Sequence, residues 1–169
     1  MNLGWRISNC NFTADDGSLP GIDFTCLTPE SVRAITDHFF RFGKLLHEDA
    51  TFWDNRIEQD VKISQVVDLG ELVTSGAASS FHCCFTGISW NNVELPVLGL
   101  FVFEDSIEID YRMGKEWLPE KVNAFFELLA HFISIAPETL VKSTECEGLR
   151  DPENFYEALD HYAPDRKRG

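Results

Sequence analysis

Residues 96–112, PVLGLFVFEDSIEIDYR, constrain the fold more than any other stretch of this chain. The apolar run Val97–Phe103 is too short for a buried helix and is bounded by Pro96 and by the turn-forming EDS, so it reads as a strand. Pro96 stands at its start, where a missing donor does least harm. Because the run is apolar on both faces, the expectation is a central strand covered on both sides. Residues 107–111 then alternate. Ile107, Ile109 and Tyr111 take one face, and Glu108, Asp110 and Arg112 take the other. A three-residue turn joins the two runs, so they pair antiparallel.

The neighbouring segments extend this sheet. FHCCFTGISW (residues 81–90) reads as a preceding strand, with Asn91 and Asn92 as its turn, giving a meander. Two strong helices supply the cover. The first, TPESVRAITDHFFRFGKLLHED, has Thr28 as cap and Pro29 in its first turn. Its stripe is Val32, Ile35, Phe39, Phe42 and Leu46, Arg33, Asp37 and Arg41 lie four apart for pairing, and its end falls near His47. The second, opened by Pro119 and closed by Pro137, buries Val122, Phe125, Leu129, Phe132 and Ala136. Asp151 and Pro152 start a short C-terminal helix, and APDRKRG ends the chain as a frayed basic tail. Elsewhere the alternation predicts strands at Trp5–Phe12, Ile22–Leu27 and Val61–Leu69, with irregular chain over 49–60 and a flexible loop over VTSGAASS. The fold class that follows is α+β: an antiparallel β-meander packed by two main helices, with a short C-terminal helix. It is expected as one globular domain over residues 1–169.

Charge bears most on function. The chain has 28 acidic and 14 basic residues, a formal net charge of −14. Such a field repels nucleic acid and anionic membranes and attracts basic proteins. The N-terminus lacks a basic, then apolar, leader and no run approaches a bilayer span, so a cytoplasmic location is expected. The five scattered cysteines, Cys10, Cys26, Cys83, Cys84 and Cys146, then read as free thiols, and the NFT at Asn11 as a chance glycosylation match.

No catalytic motif is present. Gly-x-Ser-x-Gly and the phosphate-cradling Gly-rich loop are absent. Cys83 and Cys84 have no basic neighbour in sequence to hold a thiolate. His82 and Cys84 share a strand face, but no second pair completes a zinc set, so neither metal nor cofactor is expected. Glu108 and Asp110 project from one face about 7 Å apart, a separation open to carboxylate chemistry, though nothing in the sequence surrounds them with an apolar pocket.

The remaining reading of this segment is recognition. Glu104, Asp105, Glu108 and Asp110 form an acidic face on a rigid hairpin, Arg112 orders it by pairing with an acidic neighbour, and Tyr111 and Trp117 serve as aromatic anchors. The expected function is a non-enzymatic acidic binding protein for a basic protein partner, most concretely a bacterial immunity or inhibitor protein neutralising a toxin such as a nuclease. Two alternatives stand beside it. One is a small enzyme with an unrecognised carboxylate or cysteine site. The other is an assembly or adaptor subunit that closes on an identical chain as a homodimer or larger homo-oligomer, through apolar residues such as Phe40, Leu128 and Ile135.

Overall fold

A computed structural model describes residues 2–144 and 148–167. Cys146 and the last two residues of the basic tail lie outside the described residues. The chain runs as α1 (Leu3–Ser8), α2 (Cys10–Thr13), β1 (Gly21–Thr25), α3 (Pro29–Phe42), β2 (Lys44–Leu45), β3 (Thr51–Asp54), β4 (Gln59–Lys62), α4 (Leu69–Thr74), β5 (Phe81–Thr86), β6 (Ser89–Trp90), β7 (Val93–Glu94), β8 (Leu98–Val102), β9 (Ile107–Tyr111), α5 (Pro119–Ile135), β10 (Leu140–Ser143) and α6 (Pro152–Tyr162). The main sheet is antiparallel in the order β10-β1-β9-β8-β5-β2. This is the α+β class expected, and β5, β8 and β9 are the expected meander.

Alternation determines which face is covered. Leu98, Leu100 and Val102 of β8 and Ile107, Ile109 and Tyr111 of β9 are buried against the helices. The broad apolar surface of α5 packs over them, joined by Val32, Ile35 and Phe39 of α3 in one core. The opposite face alternates half-buried and exposed residues. The expectation that β8 is covered on both sides therefore fails. Phe101 and Phe103 stay half-buried on the second face, and neither joins the core.

Helix signals are realised where caps were legible. Thr28 Oγ1 accepts from the Ser31 amide at 3.2 Å, and Asp151 Oδ1 accepts from Asn154 at 3.0 Å. α3 stops at Phe42, short of His47, because Gly43 leaves the helix extended and the chain pairs as β2. Arg33 turns away from the expected in-helix pairing and bridges Asp68 and Glu71 at 2.9 and 2.8 Å, fastening α4 against α3.

Three assignments are corrected. Trp5–Phe12 is not a strand but the two short helices α1 and α2. Gly4, Ser8, Asn11 and Phe12 are buried at spacings of four, three and one. The inward positions are thus mostly small or polar residues, which an apolar periodicity does not register. Gly4 is required there, because a Cβ would stand 2.6 Å from the Phe126 ring. Asn11 is wholly buried, donating to Ser8 Oγ and the Asp151 carbonyl and accepting from the Asp151 amide, which leaves no room for a glycan. Residues 49–60 are not irregular, since most of them belong to the β3–β4 hairpin. Asp54 is turned inward and held by the Arg56 guanidinium at 2.6 Å, which keeps its carboxyl well below the usual range. Val61–Leu69 is not one strand either. β4 ends at Lys62, a 3-10 turn follows over Ile63–Gln65, and Asp68 caps α4 by accepting from the Glu71 amide, so part of the expected VTSGAASS loop is helix.

The meander carries one inserted feature. β5 breaks at Gly87, whose φ of 73° suits glycine, and β6–β7 form a separate small hairpin. Asn91 and Asn92 both take left-handed conformations at its tip (φ 48° and 63°), the backbone a two-residue hairpin turn demands. The tail is not simply frayed. The Arg166 side chain is almost wholly buried, bonded to Asp160 and lying over the Tyr156 ring.

Candidate functional site: the open face of the sheet

The open face is built by register. One row across the sheet reads Lys142, Asp23, Glu108, Phe101, His82, each the direct partner of the next on the neighbouring strand. The row beside it reads Gly21, Asp110, Gly99, Cys84. One side chain from each row spreads over the glycines of the second. A Cβ on Gly21 would collide with the Glu108 carboxylate, and one on Gly99 would collide with that of Asp110. Both acidic side chains therefore lie flat on the sheet, each over a glycine floor.

That floor lets Asp110 of β9 reach across β8 to β5. Its Oδ2 stands 2.7 Å from His82 Nε2, although the two strands are not neighbours. The hydrogen bond to Asp110 raises the His82 pKa above its ordinary value. Partial burial opposes the shift, and the charges of Asp110 and Glu108 add to it. Next to this pair, burial and then the Asp110 charge push the Cys84 thiol up. Cys83 faces the core, where burial pushes its thiol up to about 12. A nucleophilic cysteine needs the opposite shift. Among the described residues no group of three or more His, Cys, Asp or Glu side chains is placed to hold a metal ion.

An aromatic strip completes the face. Phe101 and Phe103 are stacked, with centroids 4.9 Å apart and planes within 6°, and the His82 ring stands 5.1 Å from Phe101. The strip runs along β8 beside the carboxylates of β9.

The six residues singled out in the sequence divide four ways. Glu108 and Asp110 share the open face. Glu104 and Asp105 are exposed at the turn between β8 and β9, where the Asp105 carbonyl accepts from the Leu27 amide. Arg112 is exposed just beyond β9 and makes no ion pair within 4 Å among the described residues, so the ordering contact expected of it is not formed. Trp117 is corrected outright as an exposed anchor. It is 1% exposed, packed on Phe12, Tyr111 and Phe125 at 4.9–5.3 Å, and its Nε1 donates to the Arg112 carbonyl. Tyr111 is equally interior, donating its hydroxyl to the Asn11 carbonyl. Inward alternation already placed Tyr111 inside. Trp117 follows it because the Gly114 turn folds residues 113–117 back over the core.

Sequence reasoning missed the aromatic strip, Asp23 and the His82–Asp110 contact. The one available signal was Gly99, a lone glycine inside an apolar strand, which commonly marks a close approach of another group.

A second grouping lies under the β6–β7 hairpin. His38 of α3, His131 of α5 and Trp90 of β6 are mutually within 6.2 Å, centroid to centroid. Burial, with the neighbouring His131, lowers the His38 pKa to about 4. A cleft of about 710 Å³ also opens between β10 and α6, lined in part by Lys142, Tyr156, Asp160 and Arg166. No protein-family model, no curated protein and no solved structure matches this chain.

Proposed function

We propose that this protein is a non-enzymatic binding protein that takes a basic protein as its partner, in the manner of a bacterial immunity or inhibitor protein that occupies the positive cleft of a toxin such as a nuclease. The observation that carries the reading is the sheet face with Asp23, Glu108 and Asp110 on it and Glu104 and Asp105 at its rim, on a chain of net charge −14. A rigid, acidic, laterally extended surface suits a broad basic one, and its field speeds capture. The upward shifts of both Cys83 and Cys84 favour binding over thiolate chemistry. The assembly alternative loses one of its supports, since Leu128 is fully buried within the chain itself.

The test is charge reversal. Glu108→Lys with Asp110→Lys should abolish salt-sensitive capture of basic proteins while near-ultraviolet circular dichroism stays unchanged. A captured toxin should lose activity at one-to-one stoichiometry with the wild-type chain. A bound partner whose affinity ignores both salt and the double reversal would refute the proposal.

A further inference from the structure

We infer that the open face recognises arginine rather than lysine: it is a seat for a guanidinium group presented by the basic partner. The inference rests on the proposed function and deepens it. Charge alone does not separate the two cations, because a carboxylate attracts either. What separates them here is the juxtaposition of an acidic strip and an aromatic strip on adjacent strands. Phe101 is the direct cross-strand partner of both Glu108 and His82. Its ring is stacked with that of Phe103, and both are half-buried without belonging to the core.

A guanidinium is planar and weakly hydrated. It can lie on a phenyl face while its edge donates two parallel hydrogen bonds to a carboxylate. An ammonium is a compact, strongly hydrated point charge and does not do both at once. The glycine floors sharpen the geometry. Because Gly21 and Gly99 lack side chains, Glu108 and Asp110 lie over these two positions, close to the sheet beside the aromatic strip. Asp110 is further held in place by His82, and a carboxylate with one such bond retains acceptor capacity for a second donor. Lys142, on the same face, stands three strands from Phe101, beside Asp23 rather than the aromatic strip.

The experiment uses two amidated, acetylated peptides of equal length and charge, one alternating glycine with arginine and one alternating glycine with lysine. Each is titrated into the isotope-labelled full chain at pH 7.5 and low ionic strength. The arginine peptide should bind about threefold to fivefold more tightly, the scale of an exposed cation–π contact. Its chemical-shift changes should centre on residues 99–103 and 108–110. The Phe101→Leu, Phe103→Leu double variant keeps every charge and should bring the two dissociation constants together. Should that variant fold poorly, Asp110→Asn keeps the stack and should weaken the arginine peptide while preserving the shifts over Phe101 and Phe103. Equal dissociation constants with shifts on this face would overturn the arginine preference and leave the basic-partner reading standing. Arginine-dependent shifts centred elsewhere would also overturn it. Binding of neither peptide would overturn both readings together.

Discussion

Substituting Gly99 by alanine should uncouple His82 from Asp110 without touching either residue. The ideal Cβ at position 99 stands 2.5 Å from Asp110 Cγ, whereas ordinary van der Waals contact begins at 3.4 Å, so the carboxylate must retreat by about 1 Å. The His82–Asp110 contact of 2.7 Å would then open to about 3.7 Å, beyond hydrogen-bond range. The His82 pKa should fall from its raised value toward the ordinary value of about 6.5. The sign of the stability effect follows. A histidine whose folded pKa is raised contributes stability that is present below about pH 6.5 and is lost as pH rises through the folded value. Since the His82 side chain is 36% exposed, the loss in Gly99→Ala should be only about 0.5–1 kcal/mol at pH 5.5. At pH 8.5 the loss should be clearly smaller, because only the hydrogen bond of the neutral imidazole is then forfeited. Alanine's lower backbone entropy in the unfolded chain acts at both pH values and cancels in the comparison. Imidazole titration by nuclear magnetic resonance reads the pKa directly, and urea melts at the two pH values read the stability. Asp110→Asn should reproduce the fall in pKa. An unchanged His82 titration midpoint in Gly99→Ala, or an equal loss at both pH values, would refute the glycine-floor argument.

Three further outcomes are expected. Trp117→Ala should destabilise by roughly 3–5 kcal/mol, the cost of emptying a buried aromatic site, and Trp117→Phe by much less. A full-strength fold in Trp117→Ala by thermal melting would contradict its interior role. His38 should act in the opposite sense to His82. Its folded pKa of about 4 lies below the unfolded value, so its contribution is present above about pH 6.5 and is lost as pH falls toward 4. After discount for its partial exposure, that is about 1–2 kcal/mol, and His38→Phe should flatten acid unfolding in this window. Iodoacetamide at pH 7.5 should modify exposed Cys26 well before Cys83, whose thiol is buried and raised to about 12. Peptide mass mapping reads the order, and early labelling of Cys83 would show that the sheet opens readily.

Much of the architecture was legible because it rests on local rules. Alternation over residues 107–111 assigned each side chain to its face, and that assignment stands for Glu108 and Asp110 as for Ile109 and Tyr111. Thr28, Asp151, Pro119 and the Asn91–Asn92 turn act through backbone chemistry within a few residues, so their meaning does not depend on the rest of the chain. Apolar periodicity failed where burial is carried by other residue types. α1 buries Gly4 and Ser8, and the β3–β4 hairpin turns Asp54 inward while leaving Trp53 45% exposed.

The candidate site divides along the same line. The sequence alone determined that this chain is strongly acidic and that Glu108 and Asp110 share the face of an antiparallel strand. Only tertiary structure decided what stands beside them. Strand order places β1 against β9 and so brings Asp23, from 85 positions earlier, next to Glu108. The pairing of β8 between β9 and β5 puts Gly99 beneath Asp110 and lets it reach His82. The turn at Gly114 withdraws Trp117 into the core. The physical reason is range. Face and cap are set by bond geometry over two to four residues, whereas the neighbour across a sheet is set by which strands pair, a choice made by the packing of the whole core.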